Sequence, residues 1–116
     1  MVCQGQDLAH PNDTYDTTAS CECFEHNPFW AETFTNMHRL TKPNGLVFMS
    51  CATTGRREHG TKRTTPQDAP LIEWDYYKNL TEEDFRAQFK LDDMFSAYKF
   101  AVSTTHPDLY FYGIKK

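Results

Sequence analysis

The stretch TKPNGLVFMSCA, residues 41–52, decides the fold class of the chain. It contains the turn sequence PNG at residues 43–45, since proline fixes φ while asparagine and glycine accept the backbone angles of tight turns. The apolar run at residues 46–51 follows without the polar alternation of a strand that has one face in water. This run predicts a short strand that is covered on both faces, as in a parallel sheet.

A helix is expected directly before this strand, over residues 28–41. Asn27 followed by Pro28 favours a helix start, because asparagine can cap free backbone N–H groups and proline at the first helical position loses no needed donor. The apolar residues that follow recur at helical spacing and would form the buried side of the helix: Trp30, Phe34 and Met37.

Another strand is expected before that helix, over residues 14–24. Small or apolar residues recur there with a period of two, so they share one face, which we expect to be buried: Thr17, Ala19, Cys21 and Cys23. We interpret the two cysteines as small core residues. Residues 2–5 are interpreted as the end of a further short strand.

The second half of the chain adds a long loop, a helix and two strands. Residues 53–79 are polar and rich in Gly, Thr and Arg, and we interpret them as a functional or mobile loop insertion. A helix is expected after Thr81, which can cap it, because acidic residues fill its first turn. Strands at residues 96–103 and 108–114 are joined by a short connection, which makes them antiparallel.

The order of these elements predicts an α/β fold with a mostly parallel sheet and a C-terminal antiparallel hairpin. The 116-residue chain has room for one domain, which we take as residues 1–116. Its four cysteines do not indicate a disulfide framework, because two of them are one residue apart on the same strand.

Composition and charge argue against several classes of partner. The formal charge of −4 comes from interspersed acids and bases, and the basic cluster at residues 56–63 is too sparse to predict a nucleic-acid partner. No apolar run approaches the roughly 20 residues that cross a bilayer, so no membrane association is expected. The N-terminal residues lack the features of an export signal, which predicts a cytoplasmic protein.

Three strings of the chain, in the same order, resemble the C-terminal half of class I S-adenosylmethionine-dependent methyltransferases. DLAHPNDTYDTTASCECFEH at residues 7–26 resembles the family pattern DLPFPDNSFDxVxSxEVLEH. LTKPNGLVFMS at residues 40–50 resembles LLKPGGLLxxS, and the closing hairpin ends in YFYGIKK at residues 110–116. The resemblance covers nearly the whole chain and implies a partial Rossmann-like methyltransferase sheet with S-adenosylmethionine as methyl donor.

The family holds its methyl donor with a glycine-rich turn, and this chain has none. Its glycines, at positions 5, 45, 55, 60 and 113, are isolated, so no G-x-G turn lets a backbone approach the donor closely. The resemblance leaves Asp7 as the carboxylate near the adenine, and Glu22 as a second donor-binding candidate. We therefore expect half of a methyltransferase, as a fragment or as one piece of a split enzyme, which alone is inactive and binds the donor weakly or not at all.

A different class of function is also open, a non-catalytic methyltransferase-like interaction module. Without earlier strands, the strand at residues 14–24 would have a free edge, and such an edge tends to recruit another chain. The partners expected at this edge are a second copy of the chain or the missing N-terminal half.

The chemistry is expected at the carboxyl end of the strand at residues 14–24, where open α/β sheets bind ligands. His26 and Glu25 are candidates for acid/base assistance to an acceptor hydroxyl. The E-x-x-E-H spacing of Glu22, Glu25 and His26 also resembles the divalent-metal site of the ubiquinone-pathway O-methyltransferases and the small-RNA 2′-O-methyltransferases. In that resemblance His59 is a fourth ligand, and the metal lowers the pKa of the acceptor hydroxyl.

Other interpretations of the same residues stay open. Glu25 and His26 could be solvated loop residues, and Glu22 an exposed strand position. A zinc site of Cys21, Cys23 and His26 has tighter spacing than usual, and we prefer the interpretation that the cysteines pack in the core. A metal-dependent enzyme unrelated to methyl transfer is a third class.

The aromatic residues after the long loop are candidates for substrate contact. Trp74, Tyr76 and Tyr77 lie where the resembled family places substrate-recognition insertions, and packing explains them equally well. The expected acceptor is a small molecule, a metabolite or a glycan.

Overall fold

The computed structural model describes residues 4–70 and 74–116 of the chain. The strands and helices follow one another as β1 (Tyr15–Cys21), α1 (Trp30–Leu40), β2 (Thr41–Ala52), α2 (Glu82–Gln88), α3 (Leu91–Met94), β3 (Phe95–Ser103) and β4 (Asp108–Lys115). Short 3₁₀ turns lie at Gly5–Asp7, Phe24–His26 and Pro66–Asp68.

The four described strands form one sheet in the order β1-β2-β4-β3. β1 is parallel to β2, because α1 connects them, whereas β4 is antiparallel to both β2 and β3. The predicted α/β fold class with a C-terminal antiparallel hairpin is confirmed. In register, Ala19 pairs with Phe48, Phe48 with Tyr112, and Tyr112 with Lys99.

The hydrophobic core lies between one face of this sheet and the helices. Phe34 of α1 is fully buried, and its ring lies 5.2 Å from that of Phe85 and 5.3 Å from that of Phe111. Trp30, Phe34 and Met37 are all buried, which confirms the predicted inner side of α1. Rings at 5–7 Å with tilted planes add aromatic attraction to the burial of apolar area.

The opposite face of the sheet is the more exposed one. Tyr112 is 42% exposed and Phe48 is only partly buried, and within residues 4–70 and 74–116 no helix buries this face. The prediction that residues 46–51 form a strand covered on both faces is therefore wrong for Leu46 and Phe48, which are only partly buried, and right for Met49, Ser50 and Cys51, which are buried on both faces. The apolar run gives β2 apolar side chains on both faces, and the described helices cover only one of these faces.

The predicted burial of the β1 cysteines is also wrong. Cys21 and Cys23 are both exposed, and so are Thr17 and Ala19. Their common face is the open face of the sheet, and β1 has a single partner strand in the described sheet, β2. Period-two spacing correctly placed these residues on one face but could not tell which element would cover it.

Several element boundaries differ from the sequence prediction for local reasons. α1 begins at Trp30 rather than at residue 28, because the Asn27 side chain accepts a hydrogen bond from the backbone N–H of Phe29 and holds a turn there. The predicted PNG turn lies inside β2, where Asn44 has φ +66°. The β1–β2 register is interrupted at this point, so the turn forms a bulge rather than a separate loop.

The helix and hairpin that follow match the prediction closely. Thr81 caps α2 with a capping box, in which its hydroxyl accepts from Asp84 N and the Asp84 carboxylate accepts from Thr81 N. α3 was not predicted, since four residues are too few for a periodic pattern. Residues 2 and 3 of the strand expected at residues 2–5 lie outside the described residues, and Gly5 begins a 3₁₀ turn.

In the part of the chain that the structure describes, every helix is too short or too polar to cross a bilayer.

Candidate functional site

The site begins where β1 ends, and its shape follows from an abrupt turn of the backbone. Glu22 has φ +50°, a left-handed conformation that is uncommon for a residue with a side chain, and its N–H donates to Ser50 O on β2. The 3₁₀ turn Phe24–His26 then carries the chain into the interior. Glu25 is fully buried and His26 is 4% exposed, so the interpretation of both as solvated loop residues is wrong.

The Glu25 carboxylate is a buried ionisable group in an unusual setting. Neither of its oxygens has a hydrogen-bond partner among the described residues, although carboxylates almost never lie buried without one. Burial, reinforced by the nearby Glu22, raises the pKa of Glu25 to about 7. Glu25 can therefore gain or lose a proton near neutral pH.

Two imidazoles face this carboxylate. Glu25 Oε1 lies 3.8 Å from His26 Nε2 and 4.0 Å from His59 Nε2, which comes from the long loop after β2. The two rings are 4.8 Å apart and nearly perpendicular. Burial lowers the pKa of His26, and the neighbouring His59 lowers it further, so the neutral imidazole is favoured.

The tautomer of His59 is set by its backbone surroundings. Its Nδ1 lies 3.1 Å from the carbonyl oxygen of Arg57, to which a protonated Nδ1 donates. The Nε2 lone pair then points toward Glu25. Gly60 follows with φ +64°, and a Cβ on it would lie 2.7 Å from His26 Cε1, so the loop passes directly against the His26 ring.

The chain before α2 covers the site from the other side. Tyr77 contacts both imidazoles, with ring centroids 5.6 Å from His26 and 5.1 Å from His59. Trp74 donates its Nε1–H to the His26 carbonyl, and Lys78 N–H donates to the Glu25 carbonyl. Of the predicted substrate residues, Trp74 and Tyr77 lie beside the group formed by Glu25, His26 and His59. Tyr76, on the same segment, is half-buried.

Glu22 takes part in a different network. Its carboxylate lies 3.4 Å from Arg56 Nη1, which also lies 2.6 Å from Asp108 Oδ1 at the start of β4. Partial burial of its carboxylate and a hydrogen bond with Asp108 raise the pKa of Glu22. Sequence reasoning missed Arg56 and Asp108, because the sequence shows Arg56 only as a member of the sparse basic cluster at residues 56–63. Only the β2–β4 register, which pairs Ala52 with Asp108, brings them together.

Asp7 lies in the exposed 3₁₀ turn Gly5–Asp7, and Gln6 of this turn accepts a hydrogen bond from the side chain of Asn27, the residue after His26. Its neighbours Gln4, Gly5 and Leu8 border a largely apolar groove of about 400 Å³ that runs along β1. Other residues that line this groove are Ala19, Cys23, Met37 and Trp74.

Comparison with known proteins identifies the fold. The family model described as "Methyltransferase domain" matches residues 1–49. No curated protein matches the chain in sequence. The resemblance to class I S-adenosylmethionine-dependent methyltransferases is confirmed, and the chain has the fold of part of such an enzyme.

Solved structures of methyltransferases superpose on nearly all of this chain. A SAM-dependent methyltransferase from Thermotoga maritima has a TM-score of 0.65 at 10% identity, over 98% of this chain and 62% of its own. Phosphoethanolamine N-methyltransferase 2 of Haemonchus contortus, in complex with S-adenosyl-L-methionine, has a TM-score of 0.69 at 11% identity, over 97% of this chain and 36% of its own.

A third similar structure is a complex. A chain of the complex between the Haloferax volcanii Trm112 methyltransferase activator and a methyltransferase has a TM-score of 0.63 at 14% identity, over 99% of this chain and 60% of its own. In each comparison the chain spans less than two thirds of the matched protein.

Proposed function

We propose that residues 1–116 form the C-terminal, acceptor-side half of an S-adenosylmethionine-dependent methyltransferase that acts on a hydroxyl group. The single observation that carries the proposal is the buried Glu25–His26 pair at the carboxyl end of β1, in a chain that has part of a methyltransferase fold. Ligands of open α/β sheets bind at that end of the strands.

The methyl donor fits this chain only in part. Asp7 at the rim of the groove and Glu22 at the end of β1 are the residues that would hold it, and both are exposed. The isolated glycines provide no close backbone approach, so the chain supplies one wall of a donor site rather than a complete one. When bound, S-adenosylmethionine supplies an activated methyl group on its sulfonium sulfur.

Glu25 and His26 would handle the proton of the acceptor hydroxyl. A general base works best when its pKa lies near the working pH, and burial brings the pKa of Glu25 to about 7. The neutral His26 imidazole, 3.8 Å away, can accept a proton as well. Methyl transfer itself needs no covalent nucleophile, because holding donor and acceptor in line lowers the barrier.

The aromatic residues after the long loop would border the acceptor. Trp74 and Tyr77 lie against the His26 turn, and Tyr76 lies between Asp75 and Tyr77 on the same segment. Flat aromatic side chains with polar edges suit a small metabolite or a sugar ring, which present both apolar faces and hydroxyl groups.

The free edge of β1 supports a protein partner for this half. β1 pairs only with β2 in the described sheet, and its exposed face carries Thr17, Ala19 and Cys21. The partner we propose is the N-terminal, glycine-rich half of the fold. A second copy paired through the same edge is the alternative, and it corresponds to a non-catalytic interaction module.

Methyl transfer measurements test the proposal. The purified chain alone is expected to bind S-adenosylmethionine weakly or not at all by calorimetry. Mixed with the glycine-rich half, it is expected to transfer tritium from labelled donor to hydroxyl-bearing acceptors. His26→Gln should abolish this transfer, whereas His106→Gln, which changes an exposed imidazole of the β3–β4 turn, should leave it intact.

Two results would contradict the proposal. One is tight donor binding by the chain alone, because the chain would then contain a complete donor site. The other is a stable homodimer in sedimentation equilibrium that excludes the glycine-rich half, because the interaction-module alternative would then account for the free edge.

A further inference from the structure

A second pocket, of about 390 Å³, lies at the same edge of the sheet as the Glu25–His26 pair, on the side of β4 and β3 rather than of β1. β2 and β3 are both antiparallel to β4, so both strands end at this edge. The residues that line the pocket come from the ends of β2 and β3 and from the starts of α2 and β4. None of them belongs to the Glu25–His26 pair or lines the groove along β1.

One wall of this pocket is apolar. Leu109 is buried and Phe100 is partly buried, whereas Val102 near the end of β3 is 59% exposed. A single exposed apolar side chain is common on a protein surface, but Val102 borders a concave site. An aliphatic group in the pocket would cover it and remove apolar area from water.

The opposite wall is acidic. Glu82, Glu83 and Asp84 fill the first turn of α2. Arg86 lies 3.5 Å from the Glu82 carboxylate, and Lys78 lies 3.5 Å from the Asp84 carboxylate. Glu83, which lines the pocket, is exposed and has no salt-bridge partner within residues 4–70 and 74–116. The pocket therefore offers one carboxylate that no cation of the described chain neutralises.

The innermost polar side chain of the pocket is that of Thr53. This residue is 5% exposed, and its backbone N–H and carbonyl are bonded to Pro107 and Arg56. Its hydroxyl has no hydrogen-bond partner in the described part of the chain, although polar groups this deeply buried are usually bonded. Because Thr53 lines the pocket, a ligand there can supply the missing partner.

We propose that this pocket binds a small organic cation, an ammonium group on a short aliphatic stem. The stem would lie against Val102 and Leu109. The ammonium group has three N–H donors and no acceptor, so it would donate to the Glu83 carboxylate and the Thr53 hydroxyl. The proposal does not rest on the proposed methyl transfer, because the two sites have no residue in common.

The same surface already holds one cation of the chain itself. The guanidinium of Arg86 lies 5.6 Å from the centre of the Phe100 ring, and it pairs with Glu82. Aromatic faces and carboxylates both attract cations. Since Arg86 occupies Glu82, a bound cation would pair with Glu83, whereas an anion would be repelled by it.

The dimensions favour a small molecule over a protein partner. Pockets for small ligands commonly measure roughly 300–1,000 Å³, whereas a stable protein interface buries about 800 Å² on each partner. Phe29 and Tyr112, the other large apolar side chains that are exposed in the described residues, do not line this pocket. Val102 is therefore not part of an extended apolar surface.

An NMR titration of the ¹⁵N-labelled chain tests the proposal. The buffer is phosphate, because Tris is itself an organic cation. We expect n-butylammonium to shift the amide signals of Thr53 and Val102, with an affinity about threefold above that of n-butanol. Butyrate should bind more weakly than n-butanol. Unshifted Thr53 and Val102 signals throughout the titration would overturn the site, and equal affinity for n-butanol would overturn the recognition of charge.

Variants locate the cation. Glu83→Gln should lower the affinity for n-butylammonium about threefold and leave that for n-butanol unchanged. Thr53→Val, which removes the hydroxyl and keeps the shape, should also weaken n-butylammonium. Glu32→Gln is the matched control, because it removes an exposed carboxylate from the first turn of α1, and it should bind like the wild type.

The ¹⁵N spectrum of each variant establishes whether it folds, and Glu83→Gln at the surface should fold even if Thr53→Val does not. Full affinity for n-butylammonium in Glu83→Gln, or an equal loss in Glu32→Gln, would overturn the assignment.

A further compound separates a free amine from a lysine side chain of a partner protein. Nα-acetyl-lysine methylamide carries the same butylammonium group on a peptide backbone, and it should bind no more tightly than n-butylammonium. Tighter binding would overturn the assignment to a small molecule, because the peptide backbone would then contribute contacts of its own.

Discussion

His59 Nε2 lies 4.0 Å from Glu25 Oε1, although the two residues follow different strands of the sheet. β1 and β2 are parallel neighbours, so both chains leave the sheet at the same edge, and the turn after β1 meets the loop after β2. Gly60 lets the loop pass close to His26, and Tyr77 packs on both imidazoles. The site is therefore assembled from three segments that are distant in sequence, and its geometry depends on the loop path.

Gly60→Ala tests that dependence. The substitution places a Cβ 2.7 Å from His26 Cε1 and forces φ +64° on a residue with a side chain, so we expect it to destabilise the protein by about 1–3 kcal/mol. Gly55→Ala is the matched control, because it has φ +96° but its Cβ would meet Pro107 at an ordinary 3.6 Å. Urea unfolding should show the larger loss for Gly60→Ala. Equal losses would mean that contact with His26 has no effect of its own.

Arg56→Gln tests the network that holds Glu22. The guanidinium lies 2.6 Å from Asp108 Oδ1 and is partly buried, so its removal leaves two neighbouring carboxylates without their shared cation. We expect a loss of about 1–2 kcal/mol in the free energy of unfolding, allowing for partial screening by solvent. Arg57→Gln, which changes an exposed arginine next in sequence, should cost less than about 0.5 kcal/mol. A similar cost for both variants would contradict the bridging role.

Local patterns predicted most of the fold. The helical spacing of Trp30, Phe34 and Met37 predicted the buried side of α1, and the short THPD connection predicted an antiparallel hairpin that the β3–β4 pairing confirms. Patterns of this kind describe which residues share a face. They do not describe what covers that face, which is why Cys21 and Cys23 were wrongly placed in the core.

The candidate site was predictable in its residue types but not in its arrangement. The family resemblance implies Glu22, Glu25, His26 and His59 as metal ligands. The burial of Glu25 and the ion pair between Glu22 and Arg56 depend on the left-handed turn at Glu22 and on the β2–β4 register. Neither feature has a local sequence signal, since glycine or asparagine would be the usual residue at such a turn.

Glu25→Gln should stabilise the metal-free protein. At pH 8, above a pKa of about 7, the wild type buries a carboxylate that has no hydrogen-bond partner within the described residues, and the uncharged amide of similar size avoids that desolvation. We expect a gain of about 1–2 kcal/mol in the free energy of unfolding with chelator present. Glu83→Gln at the surface should change stability by less than about 0.5 kcal/mol. A clear loss of stability in Glu25→Gln would show that the carboxylate is paired.

His38 should make the protein less stable as the pH falls. Burial lowers the pKa of His38, and Lys115 lowers it further, while the backbone carbonyl of Met94 and the Asp13 carboxylate oppose the shift. Because its pKa is lower in the folded state, the unfolded chain binds the proton first, and stability is lost as the pH falls from about 6.5 through the folded pKa.

The comparison with His38→Gln isolates this contribution. Between pH 7.5 and pH 5, urea unfolding of the wild type should lose more stability than unfolding of His38→Gln, because the other titrating groups are common to both proteins. His106→Gln, which removes an exposed imidazole, should follow the wild type. A wild-type profile parallel to that of His38→Gln would mean that His38 is charged as readily in the folded chain as in the unfolded one. The contact between its Nε2 and the Met94 carbonyl would then be made by the protonated ring.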